Sequence, residues 1–352
     1  MMAYTTINKH TDYFNTKLYT GNGSTQSITG VGFQPDLVWI KNRSRVENHI
    51  LYDAVRGATK RINANLSDAE DTKGNGVTAF DSDGFSLGSA GQSNYNGDNI
   101  ASWNWKAGTT GSGTTTGTGT GKAYSYSVNT TAGFSIVKYG GNSSNGHTIP
   151  HHLGAVPDCI IIKKLDGVAK DWRVYHKGIS SANTRSIRLN ENDYYNTDSA
   201  YWYNTTPTST VFTLGDSDDV NNGSQQYIAY CFTSITGYSK FGHYVGNNGG
   251  ADGIFVYTGF KPTFVLQKLA SDASGGEWRI VDTKRSIYNP ARESLYPNKT
   301  NTENTTSSID LLSNGFKTRE NGLMQQDNAY RYIYLAFGQS LVGSNNIPCT
   351  AR

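Results

Sequence analysis

The sequence predicts an all-β protein built as three tandem antiparallel β-sandwich repeats, jelly-roll-like and of about 100 residues each. Three observations lead there. First, one stretch occurs three times: Gly32-Phe33-Gln34-Pro35-Asp36-Leu37-Val38-Trp39-Ile40-Lys41, then Gly154 to Lys163 with Pro157, then Gly259 to Lys268 with Pro262. Each copy reads G-x-x-P, five mostly apolar residues and Lys, a proline-closed turn feeding a strand. Second, the 352 residues include 39 Gly and 23 Tyr, and turn signals separate short apolar runs rather than helical periodicities. Third, each unit closes on an alternating run: Ala101/Trp103/Trp105, Ile228/Tyr230/Phe232 and Ile333/Leu335/Phe337. Residues two apart share a strand face, so each run offers one apolar face to a core.

Taken in order, residues 1–18 are a polar N-terminal arm anchored by Tyr13 and Phe14. The first repeat covers 19–108. A Gly/Thr-rich stretch, 109–122, has the composition of a flexible linker. The second repeat covers 123–236 and the third 237–341, with 342–352 as a C-terminal tail. Y-x-G-N precedes each motif, at Tyr19, Tyr139 and Tyr244. The spacing predicts that the last two repeats form a fixed pair while the first sits at a variable angle. Between the closing aromatics, Ser102 and Asn104 are polar, whereas Ala229, Cys231, Tyr334 and Ala336 are more apolar. A strand apolar on both faces is buried on both. The expectation is therefore that repeats two and three bury their closing strands against each other or a neighbouring subunit. The first leaves its second face wet, and a homo-oligomer forms through 123–341.

A formal charge of +3 without a basic aromatic stripe argues against nucleic acid as a partner. No apolar run reaches the length of a membrane span, so no membrane insertion is expected. The first residues, Met1 to Thr6, lack the pattern of a signal peptide, which leads to the expectation of a protein made in a cytoplasm and released by lysis. Cys159, Cys231 and Cys349 form no disulfide framework, and the first two read as small core residues. No cofactor is implied, and His151-His152 reads as a strand-entry loop rather than a metal pair.

Asp81/Asp83 and Asp216/Asp218 resemble fragments of calcium loops, but they fall at non-equivalent positions and lack a following bidentate Glu; turn-forming Asp is the alternative. Tyr194, Tyr195, Tyr201, Trp202 and Tyr203 form the densest aromatic cluster, suited to a subunit or core contact and, as the alternative, to a glycan face. The seven Glu residues do not recur across the repeats, and no nucleophile or metalloprotease motif is present, so no catalytic residue is assigned. Pro35, Lys41, Pro157, Lys163, Pro262 and Lys268 are read as repeat-defining structural residues.

Tyr19-Thr20-Gly21-Asn22-Gly23-Ser24, Gly32 to Lys41, Asp81 to Gly88 and Trp103-Asn104-Trp105-Lys106-Ala107-Gly108 resemble an uncharacterised repeat domain of structural proteins from marine tailed bacteriophages, of cyanophage and pelagiphage type. The resemblance covers 1–108 and is looser over 123–341, where Thr263 replaces the motif Asp and Phe232 and Phe337 replace closing tryptophans. It implies a virion component and carries over no catalytic residue; other virion proteins are the expected partners, with a host surface glycan as a further candidate. A tail-fibre or adhesin-like component is the first reading, a capsid decoration or head-fibre protein the alternative, and a glycan depolymerase the rival from another class.

Overall fold

The computed structural model describes residues 4–271, 275–305, 309–320 and 329–342. Strand accounts for 44% and helix for 6%, and every strand pairing is antiparallel. The first nine strands are β1 (Phe14–Thr20), β2 (Gln26–Thr29), β3 (Leu37–Asn42), β4 (Ile50–Asp53), β5 (Lys60–Asn63), β6 (Asp71–Thr72), β7 (Val77–Asp81), β8 (Gly84–Leu87) and β9 (Asn99–Trp105). They make a large sheet, β1-β9-β3-β4-β5-β6, and a small one, β2-β8-β7.

The middle of the chain adds β10 (Thr109–Thr114), β11 (Thr116–Gly117), β12 (Ala123–Asn129), β13 (Phe134–Gly140), β14 (His147–Pro150), β15 (Cys159–Lys164), β16 (Arg173–His176), β17 (Arg185–Ser186), β18 (Asn196–Thr197), β19 (Val211–Leu214) and β20 (Gln226–Phe232). Their sheets run β10-β12-β13-β20-β15-β16 and β11-β14-β19, with a β17-β18 pair beside them. Last come β21 (Ser239–Val245), β22 (Phe255–Tyr257), β23 (Phe260–Leu269), β24 (Arg279–Asp282), β25 (Ile309–Leu312), β26 (Gly315–Thr318) and β27 (Arg331–Ser340), ordered β21-β27-β23-β24 and β22-β26-β25.

Each alternating closing run is a central strand: β9 lies between β1 and β3, β20 between β13 and β15, and β27 between β21 and β23. The strand after each G-x-x-P turn pairs with it in matching register, Leu37↔Trp105, Cys159↔Phe232 and Phe264↔Phe337. One face of these strands meets at the middle of the molecule. Trp105 lies 6.4 Å from Phe232 and 5.8 Å from Phe337, ring centre to ring centre, and Phe232 and Phe337 are 6.0 Å apart. Phe14, Trp39, Trp103 and Phe264 join this aromatic triangle in one buried cluster. The opposite faces are covered by the small sheets: Phe85 with Ile28 and Ile100, Phe212 edge-on to Tyr139, and Phe316 edge-on to Tyr334 at 5.2 Å.

Among the described residues three short α-helices, α1 (Gly91–Asn94), α2 (Ser199–Trp202) and α3 (Asp218–Asn221), lie in loops. Of these, α1 and α3 account for the first two copies of the Y-x-G-N signature. Asn94 Oδ1 accepts the Asn22 N–H, and Asn221 Oδ1 the Asn142 N–H. A Cβ on Gly21 would lie 2.1 Å from the Tyr95 carbonyl oxygen, and one on Gly141 2.2 Å from that of Asn222, so only glycine fits the close approach.

Three expectations are corrected. The Gly/Thr stretch over 109–122 is no tether: β10 pairs along its whole length with β12, and β11 with β14. Its backbone supplies a ladder that its side chains do not advertise. Nor does the first segment sit at a variable angle, because Trp103, Phe14 and Trp105 pack directly on Phe264 of the third. Finally, the second face of β9 is dry. Ser102 and Asn104 are fully buried, with the Asn104 amide donating to the Asn15 and Ser102 carbonyls. The small sheet β2-β8-β7 packs on that face, with Phe85 against Ile100, so polar side chains there bond internally. The apolar second faces of β20 and β27 likewise meet their own small sheets rather than another subunit. The tail residues 343–352 lie outside the described residues.

Candidate functional site

At the centre, thirteen apolar side chains from all three large sheets leave a cavity of only about 20 Å³. That is close to the room one water needs, and the lining offers it no polar partner. The interior is thus committed to packing, and function has to be sought at the joints between segments and on the outer surface.

The joints use the repeated lysines. Lys41 Nζ donates to the carbonyls of Glu47 (2.6 Å) and Thr300 (3.0 Å); Lys163 Nζ to those of Lys170 (2.6 Å) and Ser67 (2.7 Å); Lys268 Nζ to those of Gly276 (2.6 Å), Asn192 (3.0 Å) and Asp193 (2.5 Å). Each lysine therefore holds one loop of its own segment and one of another, in cyclic order: first to third, second to first, third to second. Burial lowers Lys41 and Lys163 to about 8 and Lys268 to about 7. The gathered carbonyl oxygens offset part of that desolvation.

Counted from the strand-end residues Asp53, His176 and Asp282, a second ring of contacts runs the other way round: first to second, second to third, third to first. The Tyr230 hydroxyl donates to Asp53 Oδ2 at 2.7 Å, Trp103 Nε1–H donates to Asp282 Oδ2 at 3.0 Å, and His176 Nε2 lies 3.1 Å from the Tyr334 carbonyl. Asp53, His176 and Asp282 end β4, β16 and β24. Indole N–H groups add to the joints, Trp172 donating to the Asn63 carbonyl and Trp278 to that of Arg188. The N-terminal arm crosses to the third segment, where the Tyr4 hydroxyl donates to the Gly259 carbonyl.

The Tyr/Trp cluster separates into two kinds of residue. Tyr201 and Trp202 are buried in α2, whose first turn is capped by Asp198; Trp202 Nε1–H donates to the Arg185 carbonyl, and the Arg173 guanidinium lies 4.2 Å from the centre of the Tyr201 ring. Tyr195 is partly buried under Arg185, with Tyr194 edge-on to it at 5.6 Å. Only Tyr194 and Tyr203 are well exposed, at 40% and 47%. Outer aromatics not anticipated from sequence are Phe255 and Tyr257, which flank a shallow groove of about 420 Å³ with Lys177, Lys240 and His243. Lys240 Nζ donates to the Tyr257 carbonyl there. The hint in the sequence was Phe-Val-Tyr in β22, two aromatics on one side of a short edge strand and Val on the other.

The four carboxylates of the calcium fragments have other partners. Asp81 accepts the Ser86 hydroxyl, and Asp83 accepts the N–H groups of Gly30 and Gly32, bonds that hold it below the usual carboxylate range. Asp216 bonds Asn145, and Asp218 pairs with Lys164 and Lys170. His151 lies against the Thr208 carbonyl, while His152 stacks on Tyr126 at 3.7 Å. Among the described residues no group of three or more His, Cys, Asp or Glu is placed to hold a metal ion, and no helix is long and apolar enough to cross a membrane.

These features define a class: an all-β protein whose described interior is filled by side chains. The chain belongs to the family described as a domain of unknown function, DUF7483, which matches residues 9–340. No curated protein and no solved structure matches it.

Proposed function

We propose that the protein is a non-enzymatic structural component of a tailed-bacteriophage particle, exposed on it as a tail-fibre or adhesin-like element that contacts other virion proteins and a host surface glycan. In this reading the chain is three tandem β-sandwich repeats, closed by the cyclic lysine and Asp/His contacts into one rigid block. The observation that carries it is the aromatic triangle of Trp105, Phe232 and Phe337: equivalent residues of the three motif-bearing segments fill the space a binding chamber would need. The resemblance of the motifs over 1–108 to a virion-protein repeat domain supports the placement on a particle. Tyr194 and Tyr203, flat rings among Asn, Asp and Thr, supply the glycan-facing surface.

Gold-labelled antibody on intact particles tests the reading. Label at the tail tip or fibres is expected, and label on the head would favour the capsid-decoration alternative. Protein found only free in the lysate would overturn it. Release of reducing ends from host envelope polysaccharide, abolished by a single Asp or Glu substitution, would favour the depolymerase rival instead.

A further inference from the structure

We infer that β10 is a docking edge for a second copy of this chain, pairing antiparallel with its own counterpart across a twofold axis. Sheet edges present unpaired N–H and C=O groups, and proteins commonly blunt them with charge, proline, shortness or a covering segment. The edges of the three large sheets show that protection, with β10 the exception. β1 carries Lys17, and β21 carries Lys240 and His243. Beyond β16 and β24 the chain continues as bridges, Val174↔Ile187 and Ile280↔Leu295, and β6 is two residues long. β10 reads Thr109-Thr110-Gly111-Ser112-Gly113-Thr114, with neither charge nor proline, and all but Gly111 are exposed. Among the described residues no strand pairs with its outer edge.

The pairing geometry names the groups on offer. The Thr115 N–H donates to the Lys122 carbonyl, which continues the β10–β12 register and makes that pair a hydrogen-bonded one. Bonded pairs alternate along an antiparallel ladder, so Gly113 and Gly111 also bond inward. Thr110, Ser112 and Thr114 therefore direct their N–H and C=O groups outward.

Self-pairing, rather than a foreign strand, follows from the sequence. A twofold through Ser112 sets Ser112 opposite Ser112 of the second copy, Gly111 opposite Gly113, and Thr110 opposite Thr114. All three outward residues then exchange both of their bonds, and Thr–Thr pairs are favourable across strands. An isologous contact brings each residue near its own copy. The same operation on β1 or β21 would draw like charges together, whereas β10 has none. Ring placement agrees: Tyr126 and Tyr124 lie over Gly111 and Gly113, where a Cβ would come within 2.6 Å and 2.8 Å of their hydroxyls. Across the twofold, the Tyr126 ring of one copy lies beside the Tyr124 ring of the other. The inference does not depend on where on a particle the protein resides.

Sedimentation velocity on the full chain tests it, with Ser112→Lys and Ser112→Asp as variants. The wild type should pass from monomer to twice the chain mass as concentration rises. Each variant alone should stay monomeric with an unchanged melting profile, and an equimolar mixture of the two should recover the dimer. Should either charged variant fail to fold, Ser112→Cys in a Cys349→Ser background replaces it; oxidised glutathione should cross-link that chain to a dimer, because opposed residues of a bonded pair lie within disulfide reach. A wild type monomeric throughout, variants that associate like wild type, a mixture that stays monomeric, or a Ser112→Cys chain that does not cross-link would each overturn the proposal.

Discussion

The Tyr230 hydroxyl, on the central strand β20, donates to Asp53 at the end of β4, two fully buried groups 177 positions apart. Asp53 also holds the buried Arg56 guanidinium, so the tyrosine bonds to a carboxylate already paired in the interior. Asp282 repeats the arrangement with Arg285 and the Trp103 indole. A hydrogen bond to a buried charged acceptor is worth about 1.5–3 kcal/mol. Tyr230→Phe should therefore lower the unfolding free energy by about that much, measured by urea titration. In a double-mutant cycle with Asp53→Asn the two effects should couple rather than add.

Removing a repeated lysine should cost far more than removing a solvated one, because all three are buried. Lys163→Met leaves the half-buried Ser67 and Lys170 carbonyls without their donor, and an orphaned acceptor costs about 1–3 kcal/mol where buried and less where water reaches it. A destabilisation of about 2–4 kcal/mol is expected, against less than about 0.5 kcal/mol for Lys17→Met on the β1 edge. Equal losses at the two positions would show that the cyclic lysine contacts are not the fasteners described above.

Acid should loosen the joint between the second and third segments. Burial lowers His176 to about 4, and its neutral ring is used at both nitrogens, Nδ1 accepting the Gly178 N–H and Nε2–H donating to the Tyr334 carbonyl. Below about 6.5 the unfolded chain takes up a proton that the folded chain refuses. The stabilisation present above pH 6.5 is thus lost progressively as pH falls towards 4, by about 3 kcal/mol from this residue. Melting temperatures measured across that window should fall, and His176→Gln should flatten the dependence. An unchanged slope in the variant would assign the acid sensitivity to other histidines; His151, also lowered to about 4 by burial, is the next to replace.

Much of the β architecture was legible because its signals are local. The G-x-x-P turn and the apolar run behind it mark β3, β15 and β23, and the alternation of Trp103 and Trp105 marks a strand with a core face. Closure was not legible, since the partners of Trp103, Lys41 and Tyr230 are more than 170 positions away. The repeated lysines were visible as a pattern, but lysine at a strand end reads as solvated until the carbonyls around it are known. β10 was hidden for another reason: Gly and Thr give no apolar periodicity, and the only cue was the Tyr124/Tyr126 alternation in the strand that covers them. In the aromatic cluster, nothing local separates the buried Tyr201 and Trp202 from the exposed Tyr194 and Tyr203.

The central claim is that the three segments share one core and stand or fall together. Differential scanning calorimetry of the full chain addresses it directly, by comparing the calorimetric enthalpy with the van 't Hoff enthalpy of the transition. A single transition with a ratio near one is expected. Phe232→Ala, which removes one corner of the triangle, should move that whole transition down without splitting it. A ratio near three, or a Phe232→Ala profile in which one part of the transition shifts while the rest stays in place, would contradict the account.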